Sequence, residues 1–374
     1  MRSADNSILA TFIGLRHQYV SRLIIRQLHA HLSGSISRQC LHDIWLQKAS
    51  NKDRDEHALQ DPLIEMPEDK YDYDLETFFP LFSKYIYALC NDASSIIYST
   101  NSVLQSFQAD GVIYLELRTT PRAILSAGIT KDHYVQLVLS CISSLKSSTM
   151  TTKLILSIDR RNSEEEALDV VNLALKYRFE GVVGVDLCGD PAKGDVSIFR
   201  EAFKRAKDEG LGITLHFAEA PQSSTDTELR TLLSYEPDRI GHVINIPDGI
   251  RETIIARQIG LELCLSCNVH AKMITGSFGD HHFGYWRSKG CPVILCVSLF
   301  SLISEKSVIL ILTSEYGQTD DVGVFGSSLS HEYELIRDHF GLSEAELIDL
   351  ARSGIECIFG GEREKARLRE LMWH

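Results

Sequence analysis

The sequence predicts an α/β chain folded as a (β/α)8 TIM-type barrel, and two observations carry that expectation. Over residues 111–292 short apolar runs alternate with amphipathic, charge-bearing segments, the pattern of parallel strands joined by helices. Counting the run at "LHAHL" as the first strand gives eight, the number that closes a barrel. A length of 374 residues suits one such domain, so residues 1–374 are read as a single barrel with 1–26 outside its pattern. A doubly wound open sheet is the alternative, and it leaves the polar residues of the first strand without a convergent centre.

Each element follows from its own pattern. On a strand, residues two apart share a face, so His29 and His31 of "LHAHL" project side by side, away from Leu28, Ala30 and Leu32. Residues 36–109 read as a helical, polar elaboration lying over the barrel mouth. "VIYLELR" is the second strand, followed by the helix "KDHYVQLVLSCISSL". "KLILSID" is the third, followed by "SEEEALDVVNLALKY", where Ser163 and Glu166 have capping-box spacing. "VVGVDLC" precedes the helix "VSIFREAFKRAKDEG", closed by Gly210. "GITLHFAE", "RIGHVI" and "LELCLS" are the next three strands, separated by "DTELRTLLSY" and "GIRETIIARQIG". "PVILC" is the eighth.

Composition excludes some partners. A net charge of -13 argues against nucleic-acid backbones, which call for a basic surface. A small anionic substrate in a locally basic pocket stays open. Nine cysteines, an odd number, fit reduced thiols in the cytosol better than a disulfide framework. Cys264 and Cys267 form a lone C-x-x-C on the seventh strand, read as buried thiols because a zinc ribbon needs a second pair. The apolar region 293–312 is broken by "SEKS", short of the ~20 residues of a membrane span. "ILATFIGL" lacks a clear cleavage site, so a cytoplasmic monomer without membrane partners is expected.

The chemistry gathers where a barrel keeps its active site, at the C-terminal strand ends. The first strand ends in His29 and His31, the fifth in His216 and Glu219 of "LHFAE", the sixth in His242 of "RIGHV". After the eighth comes "TDD", with Asp320 and Asp321. Singly, such residues are more often core histidines or solvated acids. Together they supply three imidazoles and a carboxylate for one divalent ion, with an acid and a histidine to spare.

"LHAHLSGS", "DLCGDP", "LHFAE", "RIGHV" and "TDD" resemble the adenosine deaminase family of metal-dependent barrels. "YLELRTTPR", "LSIDRR" and "LSCNVHAKM" are similar to its adenosine-deaminase-like branch, which acts on N6-methyl-AMP. The resemblance implies that His29, His31, His216 and Asp320 hold one Zn²⁺ per chain. It makes Glu219 a proton shuttle and has His242 orient the attacking water. Gly189 and Asp321 would grip the purine, Gly189 through a backbone N–H that no side chain obstructs. His31, Ser33, Arg118, Thr119, Thr120, Pro121 and Asp159 would line the nucleotide site. For Arg118 and Asp159 a structural ion-pair role weighs equally. Arg118, Arg122, Arg160 and Arg161 are the cations available to a phosphate. The implied activity removes methylamine from N6-methyl-AMP to give IMP. Deamination of adenosine or adenine is the alternative within catalysis.

Four departures stand out, the first being Arg26-Gln27 where that branch has a Lys–acid pair. Ser33 replaces an asparagine common in that branch, and Cys291 a histidine. The large one is residues 297–318, which separate "PVILC" from "TDD" where relatives run straight on. This segment is apolar, and "VILIL" imitates the strand it interrupts. Valine codons begin GT and a glutamine codon can be CAG, so its ends fit a GT…AG intron translated in frame. If it displaces Asp320, the chain becomes a catalytically impaired, nucleotide-binding relic. Deleting residues 297–318 is therefore expected to raise metal retention and turnover together; a deletion variant no better than the full chain contradicts this reading.

Overall fold

The computed structural model describes residues 25–49, 59–67, 80–145, 149–270, 272–296 and 329–372. Its strands are β1 (Ile25–His31), β2 (Val112–Thr119), β3 (Thr151–Asp159), β4 (Val182–Cys188), β5 (Gly212–Phe217), β6 (Arg239–His242), β7 (Gly260–Leu263) and β8 (Val293–Leu295). They run in chain order around one sheet, and each neighbouring pair is parallel. Within the predicted elaboration lie α1 (Arg38–Ala49) and α2 (Ala93–Ala109). Between successive strands come α3 (Lys131–Ser144), α4 (Glu164–Lys176), α5 (Arg200–Asp208), α6 (Asp226–Leu233), α7 (Asp248–Arg257) and α8 (Leu265–His270). A further helix, α9 (Leu329–Phe340), packs against both edge strands, β1 and β8. This is the (β/α)8 barrel that the alternation predicts.

Local rules hold where they were strongest. The Ser163 hydroxyl accepts from the Glu166 backbone N–H, and the Glu166 carboxylate accepts from the Ser163 N–H. Gly210 follows α5 at φ +75°, as a helix stop requires. One expectation fails. β7 ends at Leu263 and residues from Leu265 are helical, so Cys264 and Cys267 do not share a strand. Residues 1–24 and 297–328, with the insertion, Asp320 and Asp321, lie outside the described residues.

The barrel interior departs from the usual layers of branched apolar side chains. Its inward positions carry Glu116 and Arg118 on β2, Asp186 on β4, Thr214 on β5, Arg239 on β6 and Glu262 on β7, all fully buried. The sequence spaces Glu116 and Arg118 two apart, so the strand's period puts both on one face. Arg239 bonds Glu116 Oε2 and Glu262 Oε1, each at 2.6 Å. Arg118 reaches Asp186 Oδ1 at 3.1 Å and pairs with Glu262. Beneath them the Phe359 ring lies 3.7 Å from the Arg239 guanidinium. A Cβ on Gly212 would sit 2.4 Å from that ring, so the glycine leaves the floor of the barrel room to close.

Removing one partner of a buried pair strands the other charge, at a cost of about 3–5 kcal/mol. Arg239→Met is therefore expected to lower stability by about that amount, read from urea unfolding. A loss below ~1 kcal/mol, the range of exposed pairs, contradicts the network's role.

Candidate active site

Four imidazoles converge at the C-terminal strand ends. His29 and His31, two apart on β1, have ring centroids 5.3 Å apart. His216 of β5 lies 4.7 Å from His29 and 5.0 Å from His31. His242, closing β6, lies 5.3 Å from His216. Gly241 makes the crowding possible: a Cβ there would come within 2.8 Å of the His29 ring.

Bends in the backbone aim the last side chains. Ala218 follows β5 at φ 52°, and His242 and Val243 take φ 64° and 58°. Left-handed backbone at non-glycine residues is strained, most of all for β-branched valine. The turns hold each other: Val243 N–H donates to Phe217 O at 2.9 Å, and Asn245 N–H to Ala218 O at 3.1 Å. The turn at Ala218 brings buried Glu219 to face the cluster, with Oε1 3.8 Å from His242 Nε2.

Second partners fix which nitrogen each ring presents. His29 Nδ1–H donates to Glu262 Oε2 at 2.7 Å, and His216 Nδ1–H to Leu187 O at 2.8 Å, with Asp186 Oδ1 at 3.2 Å. Both rings therefore turn Nε2 inward, the arrangement of metal-binding histidines. Buried His29 Nε2 has no hydrogen-bond partner among the described residues, an orphan that an ion would satisfy. His31 Nε2 and His216 Nε2 are 3.1 Å apart, close to the ~3.4 Å of two nitrogens on one tetrahedral zinc.

The electrostatics agree. Burial and the Arg118 charge push His29 down to about 4, and burial beside His216 puts His31 well below its ordinary range. Burial also lowers His216, but the Asp186 charge and hydrogen bond outweigh it and raise the ring to about 9. Glu262 is pushed up by burial and held well below the usual carboxylate range by Arg118 and Arg239. The site thus favours one positive charge among its rings. A bound metal ion would take the place of that proton and leave His216 Nε2 its lone pair. The residues present fit a divalent cation.

Other expected residues scatter in role. Arg118 does not line a substrate site: its guanidinium is buried and engaged with Asp186, Glu262 and Leu28 O. Thr119 is likewise buried, its hydroxyl 2.8 Å from Tyr134 OH. Thr120 lies 3.7 Å from Cys188 Sγ, and Pro121 is buried. Ser33 is half-buried just past β1. Gly189, at φ +106°, makes room for the Asp159 carboxylate, which a Cβ would meet at 3.0 Å. Asp159 in turn is bound by Arg161 at 2.6 Å. Sequence reasoning missed Glu262, Asp186 and Asn268. For the two acids the signal was present, as a lone charge inside the apolar runs "LELC" and "GVDLC".

A sequence profile of the adenosine deaminase family matches residues 26–293. The chain belongs to the adenosine deaminase family. N6-Methyl-AMP deaminase of Bos taurus is 33% identical over 368 residues, covering 95% of each chain. N6-mAMP deaminase of Arabidopsis thaliana is 33% identical, covering 94% of this chain and 97% of that one. Among solved structures, Arabidopsis N6-mAMP deaminase superposes with a TM-score of 0.82, at 33% identity over 95% of this chain and 99% of its own. The Arabidopsis protein complexed with IMP gives the same score, over 95% and 97%. Family membership and the nitrogen cluster together make this a hydrolytic deaminase with a metal centre.

Outer partners of metal-binding histidines are worth about 10–100-fold in affinity. Glu262→Gln is expected to weaken metal binding by about that factor, measured by competition with a chelator. Unchanged affinity contradicts the role given to Glu262.

Proposed function

We propose that this chain is a Zn²⁺-dependent hydrolase that converts N6-methyl-AMP and water to IMP and methylamine. The observation that carries the reading is the convergence of His29, His31 and His216, with Glu219 buried alongside. The similar proteins named N6-methyl-AMP deaminase support the substrate, and the IMP complex of the Arabidopsis relative corresponds to the product.

His29, His31 and His216 would hold the ion, with Asp320 as the carboxylate expected from sequence. When bound, the ion supplies the acidity that lets water ionise at pH ~7. The chain's own residues do the rest. Glu219 carries protons: it protonates purine N1, draining electron density from C6, and passes a second proton to the departing amine. The oxygen of water ends on C6 as the C6–N bond breaks, and its two protons end on N1 and on methylamine. The Gly189 backbone N–H is the donor proposed for purine N3. Of the four arginines considered for the phosphate, Arg118 is buried, Arg160 pairs with Glu228, and Arg122 donates to Cys90 O while stacking on Tyr87. Arg161 is also paired, with Asp159, but it alone of the four keeps an exposed side chain beside an acid expected at the nucleotide site, and it is the cation proposed for the phosphate.

Turnover of N6-methyl-AMP, AMP and adenosine measured side by side tests the substrate. The methylated nucleotide is expected to be turned over fastest; good turnover of adenosine with none of the methylated nucleotide sinks the assignment. Glu219→Gln should cut turnover by about 10²–10⁴-fold with metal retained, whereas His216→Ala should lose the metal. Loss of metal from Glu219→Gln would make that residue a ligand.

A further inference from the structure

His242 is the fourth ring of the cluster, and its nitrogen lies within 4.8 Å of those of His29 and His216. By distance alone it is as good a ligand as its neighbours. We infer that Asn268 and His281 fix the proton of His242 on Nε2, which makes this ring a hydrogen-bond donor and keeps it out of the ligand set.

One donor behind His242 has no choice of role. The backbone N–H of Phe283 can only donate, and it meets His281 Nδ1 at 3.0 Å. That nitrogen therefore carries a lone pair. Burial and the adjacent His282 hold His281 well below the ordinary histidine range, so the ring is neutral and its one proton sits on Nε2. His281 Nε2 lies 3.0 Å from the atom placed as Asn268 Nδ2. An amide NH₂ there would set two donors against each other, so the amide oxygen faces His281. The two ends of an amide have the same shape, and the hydrogen-bond chain decides their order. The atom 3.2 Å from His242 Nδ1 is placed as Asn268 Oδ1; exchanging the two amide ends puts the NH₂ there, and His242 accepts. A ring that accepts at Nδ1 carries its proton on Nε2.

The contrast with its neighbours is chemical. His29 and His216 meet acceptors at Nδ1 and so turn lone pairs into the site. His242 meets a donor at Nδ1 and turns an N–H into it, 3.8 Å from Glu219 Oε1. A nitrogen that bears a proton has no lone pair for a metal. It does suit an oxygen of water or substrate. His282 steadies the ring from behind, its Nε2 donating to His242 O at 2.6 Å, so the strained backbone and the tautomer are held together. Asn268 and His281 are positioning residues. They act through His242.

The tautomer stands on hydrogen bonds and on the burial of His281, whereas its catalytic consequence rests on the function proposed above. Long-range proton–nitrogen NMR correlations on the full chain, with ¹⁵N-labelled histidine, separate rings protonated at Nδ1 from rings protonated at Nε2. The His242 signals are assigned as those lost in His242→Gln. The wild-type protein is expected to show His242 protonated at Nε2, and an Nδ1-protonated pattern overturns the inference. In Asn268→Asp the carboxylate accepts from Nδ1 and moves the proton there. The expected result is a fall in kcat of about 10²-fold, the cost of one lost transition-state donor, with KM and metal content unchanged. His281→Phe provides a second variant, with the same kcat loss and a mixed tautomer. Asn268→Asp that leaves both the nitrogen pattern and kcat at wild-type values also overturns it. A wild-type chain that holds no metal and turns over no N6-methyl-AMP defeats the proposed function instead, and the nitrogen pattern still decides the tautomer.

Discussion

The site depends on a buried charge network that runs through the barrel below it. Glu262 is its centre, shared by Arg118, Arg239, Thr214 and His29. Burying five charges is costly, and such a network persists only when every member is paired. Two guanidiniums, Arg118 and Arg239, stand against three carboxylates, Glu116, Asp186 and Glu262. The surplus negative charge lies directly beneath the histidines. It is why His216 is raised to about 9 despite burial, and why a cation belongs among these rings. Metal affinity is thus expected to depend on Glu262 and Asp186, acids on strands that supply no expected ligand.

The same network orients what it attracts. Glu262 turns His29, and Asp186 with Leu187 O turns His216. The opposite side of the site uses a neutral chain through Asn268 and His281 to turn His242 the other way. Charge beneath the ligands and neutral polarity behind the donor divide four similar rings into two chemical roles. The strained turns at Ala218, His242 and Val243 supply the remaining geometry, each costing ~1–3 kcal/mol that the packed barrel offsets.

Much of this was legible in the sequence. The two-residue spacing of His29 and His31, the strand ends "LHFAE" and "RIGHV", and the strand–helix alternation led to the barrel and to its mouth. Period-two side-chain alternation is local, so it survives without knowledge of neighbours. What stayed hidden was pairing between strands. Arg118 looks like a phosphate ligand in "YLELRTTPR" because sequence shows its charge and not the two acids from β4 and β7 that neutralise it. Asn268 and His281 are thirteen residues apart and gain meaning only where α8 and the segment after it bring them behind His242. The exchange of a strand for a helix after Leu263 came from the same blindness, since "LCLS" is apolar enough for either.

X-ray absorption at the zinc edge of the zinc-loaded full chain tests the account most directly, because it counts the donors on the ion. Three imidazole nitrogens, with oxygen completing the shell and no sulfur, is the result the account predicts. Four imidazoles would place His242 on the metal, and a sulfur donor would place a cysteine there. Either would contradict the division of roles that the buried charges and the Asn268 chain impose.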